Sequence, residues 1–355
     1  MNIISARSPY IISINQANQT SSKVELYIYN KGTTIPTIPS YTLSEPIASV
    51  TQIETTYNIS DFILEYINQT VMVDVNVPTV ANNNDWCLCI VKRYATVSGT
   101  ESLLTTETFV CVNGYTSVDD GVNLDISSGN DYLLLTSNPF NKVYRYKDLI
   151  PNYNFIANRK TGSTYNVSYY DKSNALVYTN AIIASGSAEI FNIVIPLYYG
   201  TSVKLTIGNS VDGNYYTIYT EEVEECKYTP VTCSFVNRYG GWQQLVFFKA
   251  QTNSIAIKGS EYNLMQENWN YEPTRGQRKS FNINGTKTIK LNTGFIEETY
   301  NEIIQELLLS DRVLLDNYPV NLKTQSLTFN TYLKDKNINY EIEFEYANNL
   351  LNDVK

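Results

Sequence analysis

The chain has 355 residues, 43% of them apolar and 17% charged, with a formal net charge of −9. That supplies enough apolar material for packed cores and for two or three domains, and it argues against a disordered chain. It also argues against nucleic-acid binding as a main function, because phosphate contact needs clustered Lys and Arg and none cluster here.

Histidine is absent. This removes Ser-His-Asp and Cys-His nucleophiles, imidazole general bases and every His-containing metal site. The five cysteines are an odd count in a long chain, which fits folding in a reduced compartment. Cys87 and Cys89 lie two apart on a predicted strand and share a face. Cys226 and Cys233 do not have zinc-ligand spacing, and all are read as small packing residues. Tyrosine occurs 30 times, with Thr, Asn and Gly between the apolar residues, so the expected fold class is mainly β. Arg7, Pro9, Asn15 and Gln16 interrupt the first residues, so no signal peptide is expected. No run approaches the ~20 apolar residues of a membrane helix.

In chain order, residues 1–112 read as a first β-sandwich domain, immunoglobulin-like or fibronectin-like. Val24, Leu26 and Ile28 alternate with polar neighbours, and Lys31-Gly32 turns the chain. Ser60 to Ile67 reads as a short helical turn capped by Ser60. Strands are predicted over Val71–Val77, Trp86–Tyr94 and Glu107–Val112. Residues 113–225 repeat the theme as a second β domain. Asn113-Gly114 and Asp119-Asp120-Gly121 are turn signals, and Asp212-Gly213-Asn214 signals a hairpin. Strands are predicted over Tyr132–Leu135, Thr164–Tyr170, Ala188–Leu197, Val203–Ile207 and Tyr215–Glu221. The acidic run Glu221–Glu225 reads as a solvated segment at a boundary.

Residues 226–355 read as a C-terminal β domain carrying one helix. Val231, Cys233 and Phe235 alternate as a strand with one buried face. Trp242 to Phe248 is apolar on both sides and predicts a strand covered twice. Between them Asn237-Arg238-Tyr239-Gly240-Gly241 forms a tight connection, in which the two glycines supply positive φ and bare backbone under the rings of Tyr239 and Trp242. Ile296, Tyr300, Ile303, Ile304, Leu307 and Leu308 form the stripe of an amphipathic helix over 295–310, with Glu297 and Glu298 in its first turn. Leu327 to Tyr332 predicts a strand, and Lys334–Asn337 a turn. Ile338, Tyr340, Ile342, Phe344 and Tyr346 then form one strand face, opposite Asn339, Glu341, Glu343 and Glu345.

Few of these residues carry chemistry. The strand glutamates can be nominated as an acid/base or cation row, and equally as the wet face of a sheet opposite Lys or Arg. Adjacent Glu297 and Glu298 do not face each other. No Gly-rich phosphate loop is present, since Tyr239-Gly240-Gly241 lacks the Gly-Lys-Ser/Thr ending. No catalytic, cofactor-binding or metal-binding residue is assigned, and the chain is expected not to be an enzyme.

Three stretches carry a resemblance. Tyr228–Phe248, centred on Asn237-Arg238-Tyr239-Gly240-Gly241-Trp242, resembles a segment of virion proteins of tailed phages infecting Bacteroidota, the crAss-like phages among them. The opening Ala6-Arg7-Ser8-Pro9-Tyr10, followed by the strand Val24–Tyr29, is similar to the start of such proteins. So is the ending, the helix Phe295–Ser310 followed by Tyr318-Pro319-Val320 and the hairpin to Tyr346. The resemblance implies a structural component of the virion tail or neck, a ring of the tail barrel or a hub, assembled in the host cytoplasm. Its partners would be itself in a cyclic oligomer and other tail, neck or portal-proximal proteins. DNA would at most pass through, and no membrane is involved. Arg238, Tyr239, Gly240, Gly241, Trp242 and Tyr346 are the candidate structural and interface residues. Tyr346 is expected to end an exposed edge strand able to pair across an interface. A glycan-binding adhesin or receptor-binding tail module remains the alternative, and a cryptic glycosidase a third reading.

Overall fold

The computed structural model describes residues 2–30, 32–48, 53–69, 77–80, 84–123, 132–135, 142–146, 151–158, 164–183, 190–196, 202–209, 213–223, 227–264, 274, 276–329 and 337–352. The protein is mainly β, with 58% strand against 8% helix, as expected from its Tyr, Thr and Asn content. Contacts divide the chain into two compact units. The first comprises Met1–Glu224, Ser234–Leu245 and Thr299–Arg312, and the second Glu225–Cys233, Val246–Glu298 and Val313–Lys355. This differs from three consecutive domains, since residues 234–245 and 299–312 return to the first unit.

The first unit opens with a sandwich-like pair of sheets. The strands are β1 (Asn2–Ser5), β2 (Ile11–Asn15), β3 (Gln19–Tyr29), β4 (Tyr41–Pro46) and β5 (Glu54–Asn58). After the helix α1 (Ser60–Leu64) come β6 (Thr79–Val80), β7 (Trp86–Val97) and β8 (Thr100–Val112). One sheet runs β1-β8-β7-β3-β4, with β1 parallel to β8, and a second pairs β2 with β5. The alternation Val24, Leu26, Ile28 points into a core shared with Ile12 and Ile14, with Tyr57, and with Cys87, Cys89, Phe109 and Cys111. Cys87, Cys89 and Cys111 are buried free thiols, as packing residues require. Helix α1 adds Ile63 to this core. Ser60 is not its cap, because its own N–H and Oγ donate to Asn58 Oδ1 at 3.3 and 2.8 Å. The predicted strand Val71–Val77 falls almost wholly outside the described residues.

The middle of the chain gives β9 (Tyr132–Leu135), β10 (Lys142–Tyr146), β11 (Asn152–Asn158), β12 (Thr164–Tyr170) and β13 (Leu176–Ile183). Then follow β14 (Ile190–Pro196), β15 (Lys204–Asn209) and β16 (Gly213–Val223). A five-stranded sheet runs β10-β16-β15-β12-β13. Its inward face takes Tyr165, Val167 and Tyr169 of β12 with Leu205, Ile207 and Ile218, the period-two pattern of a sheet wet on one side. The predicted strands of this region are present. β10, β11 and β13 were not legible, because their apolar residues neither alternate cleanly nor stand between clear turn signals. Also in this unit, β11 pairs with β9 and β14, and β14 pairs with β6.

The stretch Val231–Phe247 forms the predicted hairpin, as β17 (Val231–Val236) and β18 (Trp242–Phe247). Every residue of β18 is buried, in keeping with its two apolar sides. The helix α2 (Asn301–Leu309) lies in the first unit and is shorter than expected. Its first expected turn is instead a 3-10 turn over Glu298–Tyr300 preceded by a short strand. The stripe itself holds, with Tyr300, Ile303, Ile304 and Leu307 buried.

The second unit contains β19 (Thr252–Asn263), β20 (Arg278–Asn292), β21 (Ile296–Glu297), β22 (Val313–Leu315), β23 (Tyr318–Leu322), β24 (Asn337–Ile338) and β25 (Glu341–Asn349). Its strands lie in the order β19-β20-β25-β23-β22. β21 pairs with β24 through Ile296 and Ile338, which is why the helix cannot begin at Phe295. Ile338, Tyr340, Ile342 and Phe344 are buried as the alternation requires, and Phe344 meets Phe247 edge-on at 5.9 Å. Burying four such side chains contributes on the order of 8 kcal/mol before entropy is subtracted. Leu327–Phe329 is not a strand, a correction to the expected alternation there. The rest of that predicted strand, and the turn Lys334–Lys336, lie outside the described residues.

Candidate functional site

The candidate site is built around the Asn237–Trp242 connection in the first unit. Asn237 organises it. Its backbone N–H donates to Gly241 O at 2.9 Å, and its carbonyl accepts from Gly240 N at 3.0 Å. Its side-chain Oδ1 accepts from the N–H groups of Tyr239 and Gly241, both at 3.0 Å, and its Nδ2 donates to Gln243 Oε1 at 3.0 Å. An Asn at the start of a turn is suited to this, because its amide imitates a backbone group. Only Gly240 of the glycine pair has positive φ, at 79°. Gly241 serves instead through its buried backbone.

Gly240 is required for a second reason. A Cβ there would lie 2.8 Å from the backbone nitrogens of Asn113 and Gly114. Reciprocally, a Cβ on Gly114 would lie 2.8 Å from Arg238 O. The two turns thus rest backbone on backbone through two glycines. Tyr115 N donates to Arg238 O at 2.8 Å, Gln69 Nε2 to Gly240 O at 2.9 Å, and Asn113 Nδ2 to Gln69 Oε1 at 3.0 Å. All these groups are buried or nearly so, where each satisfied bond matters most.

Charge is spent internally as well. Arg238 pairs with Asp120, whose carboxyl is held below its usual range by the Ser117 hydroxyl and amide, with Arg238 adding to the effect. The backbone N–H of Arg238 donates to Glu306 Oε2 of α2 at 3.4 Å. Burial pushes the phenol of Tyr115 up to about 12 and that of Tyr239 upward, with Glu306 adding to both and Arg238 opposing. Arg7 stacks over Tyr115 at 5.1 Å, pairs with Asp311 at 3.5 Å and donates to Leu309 O at 3.1 Å. A cation there satisfies the carbonyl end of α2.

Parts of the three stretches singled out in the sequence therefore meet within the first unit. The opening contributes Arg7, the ending contributes Glu306 and Leu309, and the centre contributes Asn237–Trp242. Of the six residues singled out in the sequence, Arg238 and Tyr239 are half-buried, and Gly240, Gly241 and Trp242 are buried. Tyr346 belongs to the other unit, with Lys287 over its ring at 5.3 Å. Its strand is not an edge, because β25 is paired on both sides, by β20 and by β23. The glutamates beside it face lysines: Glu341 pairs with Lys290, and Glu343 with Lys323 at 3.1 Å. That is the wet-face arrangement.

Sequence reasoning missed Gln69, Asp85 and Glu306. Glu306 alone left a signal, as an acid on the margin of the helix stripe. Asp85 is 4% exposed, and desolvation raises its carboxyl pKa to about 7. The Trp242 indole N–H lies toward it and opposes the shift without closing a full hydrogen bond. A carboxyl near neutrality is the usual mark of an acid/base residue, but this one is sealed from solvent. Among the described residues no group of three or more His, Cys, Asp or Glu is placed to hold a metal ion, and no helix is long and apolar enough to cross a membrane. The arrangement positions backbone and pairs its charges. No family model matches the chain, and no curated protein matches it.

Proposed function

We propose that the protein is a non-enzymatic structural component of a phage virion, part of the tail or neck, acting through protein–protein assembly in a ring or hub. One observation supports this reading: Arg7, Asn237–Trp242, Glu306 and Leu309, drawn from the three stretches singled out in the sequence, meet at one junction whose polar groups are spent on holding the fold. Polar groups spent on holding the fold favour a scaffold over a site of chemistry. Exposed apolar side chains such as Leu103, Ile257 and Tyr318 supply material for contacts with neighbours, and a ring is closed by heterologous contacts between identical copies. The partners in this reading are further copies of the chain and adjoining tail, neck or portal-proximal proteins, within the virion.

Light scattering of the purified protein over a concentration range tests the proposal. A discrete oligomer whose class averages in electron micrographs show cyclic symmetry is the expected result. A strict monomer at every concentration would overturn it, and binding of that monomer to a host polysaccharide on a glycan panel would favour an adhesin.

A further inference from the structure

The hairpin β19–β20 is the segment whose burial least matches its composition. Its register is continuous from Thr252↔Lys290 to Asn263↔Arg278, interrupted by one irregularity between Lys258 and Ser260, where Asn282 takes φ 51°. At ~3.4 Å per residue its twelve-residue first strand spans roughly 40 Å. Every residue of β19 is exposed, as are Arg278–Ile283 of β20. Yet the exposed set includes Ile257 at 72%, Ile255 at 61%, Ile283 at 50% and Phe281 at 44%. Among the described strands β19 pairs only with β20, so its outer edge of N–H and C=O groups is open.

The apolar side chains are gathered, not scattered. Gly259 and Gly285 lack the Cβ atoms that would stand between them. Ile283 Cγ1 lies 3.1 Å from the Cβ position of Gly259, and Leu350 Cδ1 and Ile255 Cγ2 lie 3.2 and 3.5 Å from that of Gly285. Ile255, Ile283 and Leu350 thus make a shelf, with Ile257 opposite Gly285 in the register. Further out, Tyr262 and Phe281 meet edge-on at 5.5 Å. A two-stranded ribbon alone is at best marginally stable in water, and here the side chains that would stabilise it face outward.

Charge narrows what covers it. Lys287 and Lys290 are engaged at the base, over Tyr346 and with Glu341, and Arg278 pairs with Glu261 at 3.6 Å, which leaves Lys258 and Lys279 as the arm's outward charge in a chain whose net charge is −9. The rest of the chain is therefore more acidic than the whole, and another copy offers the complementary sign. One face of a ribbon ~40 Å long and ~10 Å wide offers about 400 Å² per partner, the scale of a weak contact that gains strength when repeated around a ring.

We propose that β19–β20 is an assembly arm that docks its Ile255–Ile257–Ile283–Leu350 shelf on an acidic surface of a second copy of this chain. This rests on the assembly reading and names the surface that performs it. The contact is heterologous, arm to body, which is the kind that closes rings.

Sedimentation velocity of the full chain, beside an Ile255→Asp/Ile257→Asp variant and a Lys258→Glu/Lys279→Glu variant, tests it. The expected result is an oligomer for the parent, at least a ten-fold weaker association for each variant, and weakening of the parent's association at high salt. A parent oligomer with unchanged association in both variants overturns the arm and leaves the assembly reading standing. A parent that is monomeric at every concentration overturns both. Photo-crosslinking from position 257 guards against a variant that merely unravels the arm. Capture of a second copy supports the proposal. Capture of no copy by an oligomer overturns it, as does crosslinking to added duplex DNA with no captured copy.

Discussion

Two long hairpins show what flanking strands do for a ribbon. β7–β8 in the first unit and β19–β20 in the second are each antiparallel over more than ten register pairs and each carry one irregularity. β7 is paired on its other side by β3, and β8 by β1. At that end Trp86, Cys87, Cys89, Phe109 and Cys111 are buried. The far end turns at Ser98-Gly99, both with positive φ, at 51° and 80°, as a type I′ hairpin needs. β20 is covered by β25 only from Thr286 to Asn292. Beyond that no described strand flanks the arm, and Ile255, Ile257 and Ile283 are exposed. Both segments fold as long antiparallel hairpins, and what differs is whether described strands of this chain flank them.

The largest effect separates the two directly. Phe109→Ala at the anchored end of β8 empties a fully packed site beside the Tyr10 ring, 5.6 Å away, and is expected to cost about 4 kcal/mol. Phe281→Ala on the arm removes an exposed ring and is expected to cost under about 1 kcal/mol. Chemical denaturation followed by far-ultraviolet circular dichroism reads both, and comparable losses would mean that the arm is covered within a single chain.

Next comes the contact at the base of the anchored hairpin. Gly240→Ala combines a left-handed φ with the backbone of Asn113 and Gly114 at 2.8 Å, and is expected to cost about 3 kcal/mol. Gly99→Ala, at the tip of the same hairpin, has φ +80° and nothing within 4 Å, so only the conformational cost of about 1 kcal/mol applies. Equal losses would sink the argument that backbone contact, and not φ alone, requires Gly240.

The pH dependence is smaller and has a definite sign. Asp85, just before β7, has a folded pKa of about 7 against an ordinary 3.8. The folded state holds the proton more tightly, so its contribution is complete below pH ~4 and is lost as pH rises through 7. A loss of about 2 kcal/mol between pH 5 and pH 8 is expected, allowing for relaxation around the charge. Asp85→Asn keeps the shape and removes the titration. Its denaturation midpoint is expected to change less over that range, and an undiminished slope would show that another group is responsible.

Much of the anchored architecture was legible because one-sided burial writes itself as alternation. Val24, Leu26, Ile28 and the run Ile338–Phe344 could be assigned a face from sequence. The junction was half legible. Asn113-Gly114 and Gly240-Gly241 are visible as turns, but nothing in either says that one turn rests on the other, since the contact is between backbones. Asp85 and Gln69 are single polar residues whose burial depends on strands far away in the chain. The arm was not legible at all. Thr252 to Asn263 mixes Ile, Ala, Lys, Gly and Glu without a buried face to enforce a period, and a strand without cover carries no burial pattern to read.

The smallest expected effect on stability is the one that separates arm from body most cleanly. Ile257→Asp on the purified monomer, at the lowest workable concentration, is expected to move the denaturation midpoint by less than the equivalent of about 0.5 kcal/mol, because its side chain touches little. The same substitution at β7, as Val91→Asp, places an unpaired carboxylate in the core and should prevent folding altogether. A large loss for Ile257→Asp at a concentration where the parent is monomeric would show that the shelf is buried against its own chain. A small loss that grows with parent concentration locates the stabilisation in the contact with a second copy, since association adds stability only to the species that can associate.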